Sequence, residues 1–247
     1  MWGQVSYTTG FRADERFALC STFKVLAVGA VLARVARGED DLSRPMRLSA
    51  ADIVAHSPVT QQRLNEGMTL GQLCDAALVV GDNTAANLLL STIGGPPGVT
   101  AYARSLGDAV TRLDRLETAL NDATPGDDRD TTSPVAMAEN LRQLVLGDAL
   151  PGPERERVRD GLLHCQTGKG RLRAGLPAAW TFGHRTGAGG HGTCNDIGIA
   201  WPPSAGPVVI SAYLTESPLP LPERERVLAE AGRIVVHGLT SARLQAG

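Results

Sequence analysis

The chain has 247 residues, of which 43% are hydrophobic and 20% charged, with 28 glycines and 15 prolines. That composition excludes a disordered or fibrous protein, and the length allows one large domain or two small ones. Lys and Arg number 24 against 26 Asp and Glu, a net charge of -2, which disfavours a dominant nucleic-acid footprint.

The N-terminal residues lack a clear pattern, with Val5 to Thr9 as a possible strand. From Thr22 the apolar residues Phe23, Leu26, Ala27, Ala30 and Val31 recur with helical period, predicting a helix that ends at Gly38. Asp52 to Ser57 reads as a short element stopped by Pro58. Thr69 caps a helix running to Val80, Gly81 interrupts, and Asn83 to Thr92 forms the next helix. The run GGPPG at 94–98 reads as a turn before a short helix over Val99 to Leu106. Residues 114–133 are polar and broken by Pro125 and Gly126; a loop of that length is often functional. Pro134 opens a helix to about Leu146, and Pro153 to Cys165 forms another. Three strands follow, Thr181 to Thr186, Asp196 to Trp201 and Pro207 to Thr215, then a closing helix over Glu223 to Leu239. Helices followed by three consecutive strands predict an α+β fold with an antiparallel sheet. The most apolar helical run, Val25 to Val35, is shorter than the roughly 18 residues that span a bilayer. Cys20, Cys74, Cys165 and Cys194 form no C-x-x-C pair, so a zinc site or a disulfide framework is not expected.

The chemistry begins at Ser21-Thr22-Phe23-Lys24. Residues three apart share a helix face, so Lys24 lies beside Ser21. A serine hydroxyl becomes a nucleophile when a base takes its proton, and a lysine neutralised by burial can be that base. Alone, S-x-x-K also fits a serine cap beside a solvated lysine. Further along stand Gly81-Asp82-Asn83, Arg115-Leu116-Glu117 and Arg185-Thr186-Gly187.

Together and in this order, STFK, GDNTAANLLL, RLETALN, PGDDRDTTSPVAMA and RTGAGGHGTCNDIGIAWPP resemble the class A serine β-lactamases. The resemblance runs from about Gly10 to the C-terminal helix. It implies a β-lactamase/transpeptidase-like α+β fold, an antiparallel sheet flanked by helices with the site against an all-helical region. It implies one discontinuous domain, with 1–20 and 165–247 on the sheet side and 21–164 on the helical side, the latter carrying an omega loop over 115–130. The implied function is hydrolysis of the β-lactam amide of penicillin- and cephalosporin-type antibiotics.

Residue by residue, Ser21 matches the acylated nucleophile and Lys24 its partner. Glu117 matches the general base that, with Asn121, holds the hydrolytic water. Arg115 and Asp130 match the ion pair closing the omega loop, whose Glu117-Thr118 bond is expected to be cis. Arg185, Thr186 and Gly187 match the third motif, where the first two meet the substrate carboxylate, and Arg171 matches an arginine that helps bind it. The amides of Ser21 and Ala188 match the oxyanion hole. Asn83, after Asp82, matches the contact to the substrate's side-chain amide. His56 stands where the family often has a rim tyrosine; it either stacks on substrate or is a surface histidine. Neither a metal nor any other cofactor is implied, the partner is a small-molecule β-lactam with no nucleic acid or membrane, and a secreted or periplasmic monomer is expected.

One residue departs from the pattern. Gly81 stands where the family has a serine that passes a proton to the leaving nitrogen and touches the carboxylate. A water in the vacated space is expected to take over, with slowed acylation. Trp201 and Cys194 are expected near the third motif, Cys194 as a small buried apolar residue. Three other readings stay open: a penicillin-binding peptidase, an esterase-like serine hydrolase, and an inactive homologue that only binds β-lactams. Only 20 residues precede Ser21, and no basic, apolar and cleavage-site regions mark a leader. Gly10 to Ala18 resembles the family's second strand. Trp2 to Thr8 would have to improvise the first one, or else the chain starts further upstream, which is the expectation.

Overall fold

The computed structural model describes residues 8–246. Its strands are β1 (Phe17–Ala18), β2 (Pro45–Met46), β3 (Met68–Thr69), β4 (Thr131–Thr132), β5 (Thr181–Ala188), β6 (Cys194–Trp201) and β7 (Val208–Leu214). Its helices are α1 (Phe23–Ala36), α2 (Leu70–Val79), α3 (Asn83–Thr92), α4 (Pro96–Ser105), α5 (Pro134–Val145), α6 (Gly152–Leu163), α7 (Leu172–Gly175) and α8 (Leu221–Ala246). The fold is α+β, as the sequence predicts.

The main sheet runs β5-β6-β7 and is antiparallel throughout, with Thr181 opposite Trp201 and Ala188 opposite Cys194. Side chains alternate across a strand, so each face of the sheet has its own core. Ile197 and Ile199 join the large core of α1, α2, α3, α5 and α6. Phe182, Ala200 and Ile210 pack with Leu172 and Leu176 beneath Ala231, Val235 and Val236 of α8.

Helix α1 explains why Lys24 is buried. Every residue from Phe23 to Ala33 is buried, because the helix is apolar all round and runs through the centre of the helical region. Its one early polar exception, Lys24, is carried into that interior. Helix α2 starts at a capping box, with Gln72 N donating to Thr69 Oγ1 and Thr69 N to Gln72 Oε1. Helix α3 starts at Asp82, whose carboxylate accepts from Ala85 N at 2.9 Å.

Several expectations need correction. Helix α4 begins inside the GGPPG run, because Pro96 and Pro97 occupy its first turn, where a missing N–H costs nothing. Gly10 to Ala18 is mostly a turn closed by the Arg12–Glu15 ion pair; only Phe17 and Ala18 are extended, and they pair with Thr131–Thr132, not with the main sheet. Asp52 to Ser57 holds no regular element beyond the end of a 3₁₀ turn over Ala50–Asp52. Of the two N-terminal strand readings, Val5–Thr9 and Trp2–Thr8, all but Thr8 and Thr9 lies outside the described residues. No helix among the described residues is long and apolar enough to cross a membrane.

Candidate active site

Ser21 sits in a 3₁₀ turn, Cys20–Thr22, that runs directly into α1. The turn is pinned from three sides. Thr22 Oγ1 donates to Leu19 O at 2.7 Å, Leu19 N to Asp130 O at 2.8 Å, and Asn195 Nδ2 of β6 to Ala18 O at 2.8 Å. Cys20 takes a φ of +44°, a left-handed conformation that non-glycine residues adopt only when their surroundings enforce it. Strand β5 reaches this turn because Gly187 and Gly189 lack side chains. A Cβ on Gly187 would stand 3.0 Å from Leu19 O, and one on Gly189 would stand 2.7 Å from Cys20 Sγ. The close approach brings the Ala188 end of β5 alongside the turn that carries Ser21.

One turn along, Lys24 Nζ donates to Ser21 Oγ at 2.9 Å, to Gly81 O at 2.8 Å and to Asn83 Oδ1 at 2.5 Å. It also lies 3.0 Å from Glu117 Oε1, with both side chains fully buried. Burial pushes the Lys24 ammonium down, Glu117 pulls it back up and Arg185 lowers it again, leaving it at about 8. Ser21 Oγ donates to Glu117 Oε1 at 3.2 Å, and Asn121 Nδ2 donates to Glu117 Oε2. Glu117, Asn121, Ser21 and Lys24 therefore converge as the sequence predicts.

The Glu117 loop is held in place by its own contacts. The Glu117-Thr118 peptide is cis. Asp130, wholly buried, accepts from the amides of Asp114 at 2.7 Å and Arg115 at 2.9 Å, and from Arg115 Nε at 2.6 Å. Asn87, which the sequence reading passed over, grips both sides of the Glu117 backbone: Glu117 N donates to Asn87 Oδ1 and Asn87 Nδ2 to Glu117 O, each at 2.9 Å. Its signal was present, because Asn87 lies four residues after Asn83 and so shares its face of α3.

Asp82 clamps the opposite wall, accepting from Val59 N, Thr60 N and Thr60 Oγ1. Both ends of the Asn83 amide are engaged, Oδ1 by Lys24 and Nδ2 by donation to Ala55 O at 2.8 Å. His56 is exposed on the rim, and its Nε2 donates to Val80 O at 3.1 Å, which tethers the ring.

The third motif differs from the expectation. Arg185 is buried, its Nη1 directed at Leu78 O at 3.2 Å and Thr167 Oγ1 at 3.5 Å. A Cβ on Gly81 would stand 2.1 Å from Arg185 Nη2. The space beside Gly81 is thus filled by the guanidinium and is not left for a water. Gly81 also has φ +77°, the left-handed region that favours glycine. Thr186 Oγ1 shares a hydrogen bond of 2.6 Å with Thr167 Oγ1, a second residue the sequence reading did not single out. Arg171 Nη1 donates to Gly187 O and Asn195 O, each at 2.8 Å, so this arginine braces the strand that carries the motif. Cys194 is buried opposite Ala188, whereas Trp201 pairs with Thr181 at the far end of β5, away from the motif.

A serine hydrogen-bonded to a buried lysine and a buried carboxylate, beside the end of an antiparallel strand, fits a serine acyl hydrolase. Residues 4–239 match the β-lactamase enzyme family. The chain is 50% identical to β-lactamase AST-1 of Nocardia asteroides, over 94% of this chain and 75% of that protein. It is 48% identical to β-lactamase OXY-2 of Klebsiella oxytoca, over 93% and 79%. The solved ancestral GNCA class A β-lactamase superposes with a TM-score of 0.91 at 54% identity, covering 92% of this chain and 88% of that one. The chain belongs to the class A serine β-lactamases, and its activity is β-lactam hydrolysis by their serine mechanism.

Proposed function

We propose that Ser21 is the acylated nucleophile, that Glu117 is its base, and that Lys24 works as an ammonium. The carrying observation is the hydrogen-bond order at Ser21. Its oxygen accepts from Lys24 Nζ and its hydroxyl donates to Glu117 Oε1. Three Lys24 donors already meet Ser21, Gly81 and Asn83, so the lysine gives protons here and has no room to take one.

Ser21 Oγ attacks the lactam carbonyl as its proton passes to Glu117. The developing oxyanion is assigned to the amides of Ser21 and Ala188, fixed donors that need no reorganisation as the charge forms. The C–N bond breaks, and the ring nitrogen needs a proton that no residue-81 hydroxyl supplies. Lys24 donates to Gly81 O at 2.8 Å, so its ammonium borders that space. It delivers the proton and is recharged from Glu117. Arg185 stays charged and, with Thr186, takes the substrate carboxylate, while Arg171 keeps the strand in register.

Deacylation uses the same carboxylate. Asn121 Nδ2 serves Glu117, and Asn121 Oδ1 has no partner among the described residues, an acceptor suited to the hydrolytic water. Asn83, the first residue of α3, has one Nδ2 hydrogen committed to Ala55 O and offers the other to the substrate's side-chain amide. The protein acts as a monomer on a small molecule.

Nitrocefin hydrolysis with intact-mass detection tests the assignment. The parent turns over, Ser21→Ala neither turns over nor gains mass, and Glu117→Gln gains its benzylpenicillin adduct on Ser21 at least tenfold more slowly than the parent is acylated; acylation of Glu117→Gln at the parent's rate refutes Glu117 as the base. An adduct that forms on Ser21→Ala refutes it.

A further inference from the structure

Asn195 lies in the central strand β6 and is wholly buried, with its side chain against the turn that carries Ser21. Its Nδ2 donates to two consecutive carbonyls, Ala18 O at 2.8 Å and Leu19 O at 3.2 Å. The amide uses room that Gly187, its cross-strand partner, leaves open. A Cβ on Gly187 would stand 3.3 Å from Asn195 Nδ2 and 3.1 Å from Cys20 Cβ. Asn195 Oδ1 is buried and has no partner among the described residues. An orphaned buried acceptor lowers stability, so the fold keeps the two donated bonds although the oxygen is left unmet. The backbone of the same residue is held as well. Arg171 Nη1 donates to Asn195 O and to Gly187 O, each at 2.8 Å, and Arg171 Nε donates to Glu225 Oε1 of α8 at 3.1 Å.

We propose that Asn195 and Arg171 are positioning residues of the oxyanion hole, locking the peptide that carries the Ser21 amide to the peptide that carries the Ala188 amide.

Their role rests on the reading of the Ser21 and Ala188 amides as the oxyanion donors. In a trans peptide the C=O and the N–H share one plane and point in opposite directions. Arg171 Nη1 spans Gly187 O on β5 and Asn195 O on β6, so Gly187 O faces the β5–β6 ladder. The Ala188 N–H, at the other end of that peptide, then faces away from β6. That side of β5 is the edge of the sheet order β5-β6-β7, where no further strand pairs among the described residues. The Cys20–Ser21 peptide is set in the same manner, because Cys20 O accepts from Phe23 N at the start of α1. Each donor's plane is fixed at its carbonyl end, and Asn195 fixes the separation between the two.

Arg171 also acts through its charge. A cation on Gly187 O draws electron density from the amide, and hydrogen bonds in series strengthen one another, so the Ala188 N–H becomes a better donor. The arginine is buried and is itself steadied from α8 by Glu225. Its Nε and both Nη1 hydrogens are engaged by the protein, so it works on the backbone of the strand, in contrast to the carboxylate contact that the resemblance implies.

The test traps the Ser21 adduct in Glu117→Gln with benzylpenicillin carrying carbon-13 at the lactam carbonyl, and reads the ester band by isotope-edited infrared spectroscopy. In the folded adduct the band is expected below that of the unfolded adduct, because two donors meet the carbonyl. Adding Asn195→Ala or Arg171→Gln is expected to move it up toward the unfolded position. Arg171→Lys, which keeps the charge, is expected to move it less than Arg171→Gln. With Glu117 in place, kcat for nitrocefin is expected to fall at least tenfold in Asn195→Ala and in Arg171→Gln, short of the roughly 10²–10³-fold for removing a donor outright. The same fold loss in kcat is expected on the carboxyl methyl ester of nitrocefin, because neither residue works on the substrate carboxylate. Melting curves establish that each chain is folded, and should one variant fail to fold the others carry the test. A band that stays at the parent position in either folded variant overturns the proposal, as does an Arg171→Gln loss that vanishes on the methyl ester. A folded Glu117→Gln adduct whose band coincides with the unfolded one refutes instead the assignment of the two amides to the oxyanion.

Discussion

Restoring the family's serine at residue 81 is expected to damage this enzyme. In Gly81→Ser the new Cβ stands 2.1 Å from Arg185 Nη2 and 3.0 Å from Arg185 Cζ, so the guanidinium must move. It is buried, and its Nη1 is committed to Leu78 O and Thr167 Oγ1. Losing one hydrogen bond from a charged group costs about 1.5–3 kcal/mol. Holding a non-glycine residue in the left-handed region that Gly81 occupies adds about 1–2 kcal/mol. The sum is about 2.5–5 kcal/mol, which for a chain of this size lowers Tm by roughly 5–20 °C. A displaced Arg185 also loses its aim at the carboxylate, so kcat/KM for benzylpenicillin falls about tenfold or more. Arg185→Lys in the same chain relieves the clash, since a lysine lacks the forked end. The double variant Gly81→Ser/Arg185→Lys should therefore recover stability and activity, with a coupling energy of about 1–3 kcal/mol. Thermal melts and steady-state kinetics on the four chains measure this cycle. If Gly81→Ser alone melts with the parent and hydrolyses penicillin faster, and the coupling is near zero, the two positions are independent and the steric argument fails.

Other expected outcomes follow from the same geometry. Lys24 at about 8 gives kcat/KM a falling alkaline limb, roughly tenfold per pH unit above that value, because the proton donor is lost; a limb that rises through pH 8 would make neutral Lys24 the base instead. Asp130→Asn removes the charge that Arg115 Nε meets, a loss of about 1.5–3 kcal/mol because Asp122 still pairs with Arg115, and loosens the loop under Glu117. Stopped-flow kinetics should show acylation and deacylation both slowed, since Glu117 serves both; a Tm loss with both rates unchanged would contradict the positioning role. Asn87→Ala frees the Glu117 backbone at both ends and should slow both steps in the same sense, at least tenfold. Arg171→Ala takes two bonds from the backbone of β5 and β6, and should raise KM for carboxylated substrates and lower Tm together.

Much of the fold was legible because its determinants are local. Thr69 with Gln72 and Asp82 with Ala85 are capping contacts three residues apart, and α2 and α3 begin at these caps. Alternation and turn residues marked β5, β6 and β7 to within two residues at each end. The misreadings have equally local causes. Two prolines after two glycines read as a turn, yet proline is as well suited to a helix's first turn, and the choice depends on whether Val99 and Ala103 find a core, which they do. Gly10 to Arg16 looked extended by resemblance, while an ion pair three residues apart closed it into a turn.

The site was legible as a set of positions and illegible as a set of contacts. Ser21 and Lys24 are three residues apart and could be paired from spacing alone. Gly81 and Arg185 are over a hundred residues apart, and Gly81 is smaller than the serine its motif usually carries. Read singly, Gly81 is a missing hydroxyl and invites a water. Read with Arg185, it is the only residue type whose lack of a side chain admits a buried guanidinium at 2.1 Å from where a Cβ would be. A close-packed interior makes this the general case: volume removed at one wall is taken up at another, so a substitution in a motif has no meaning until the residue across the cavity is known.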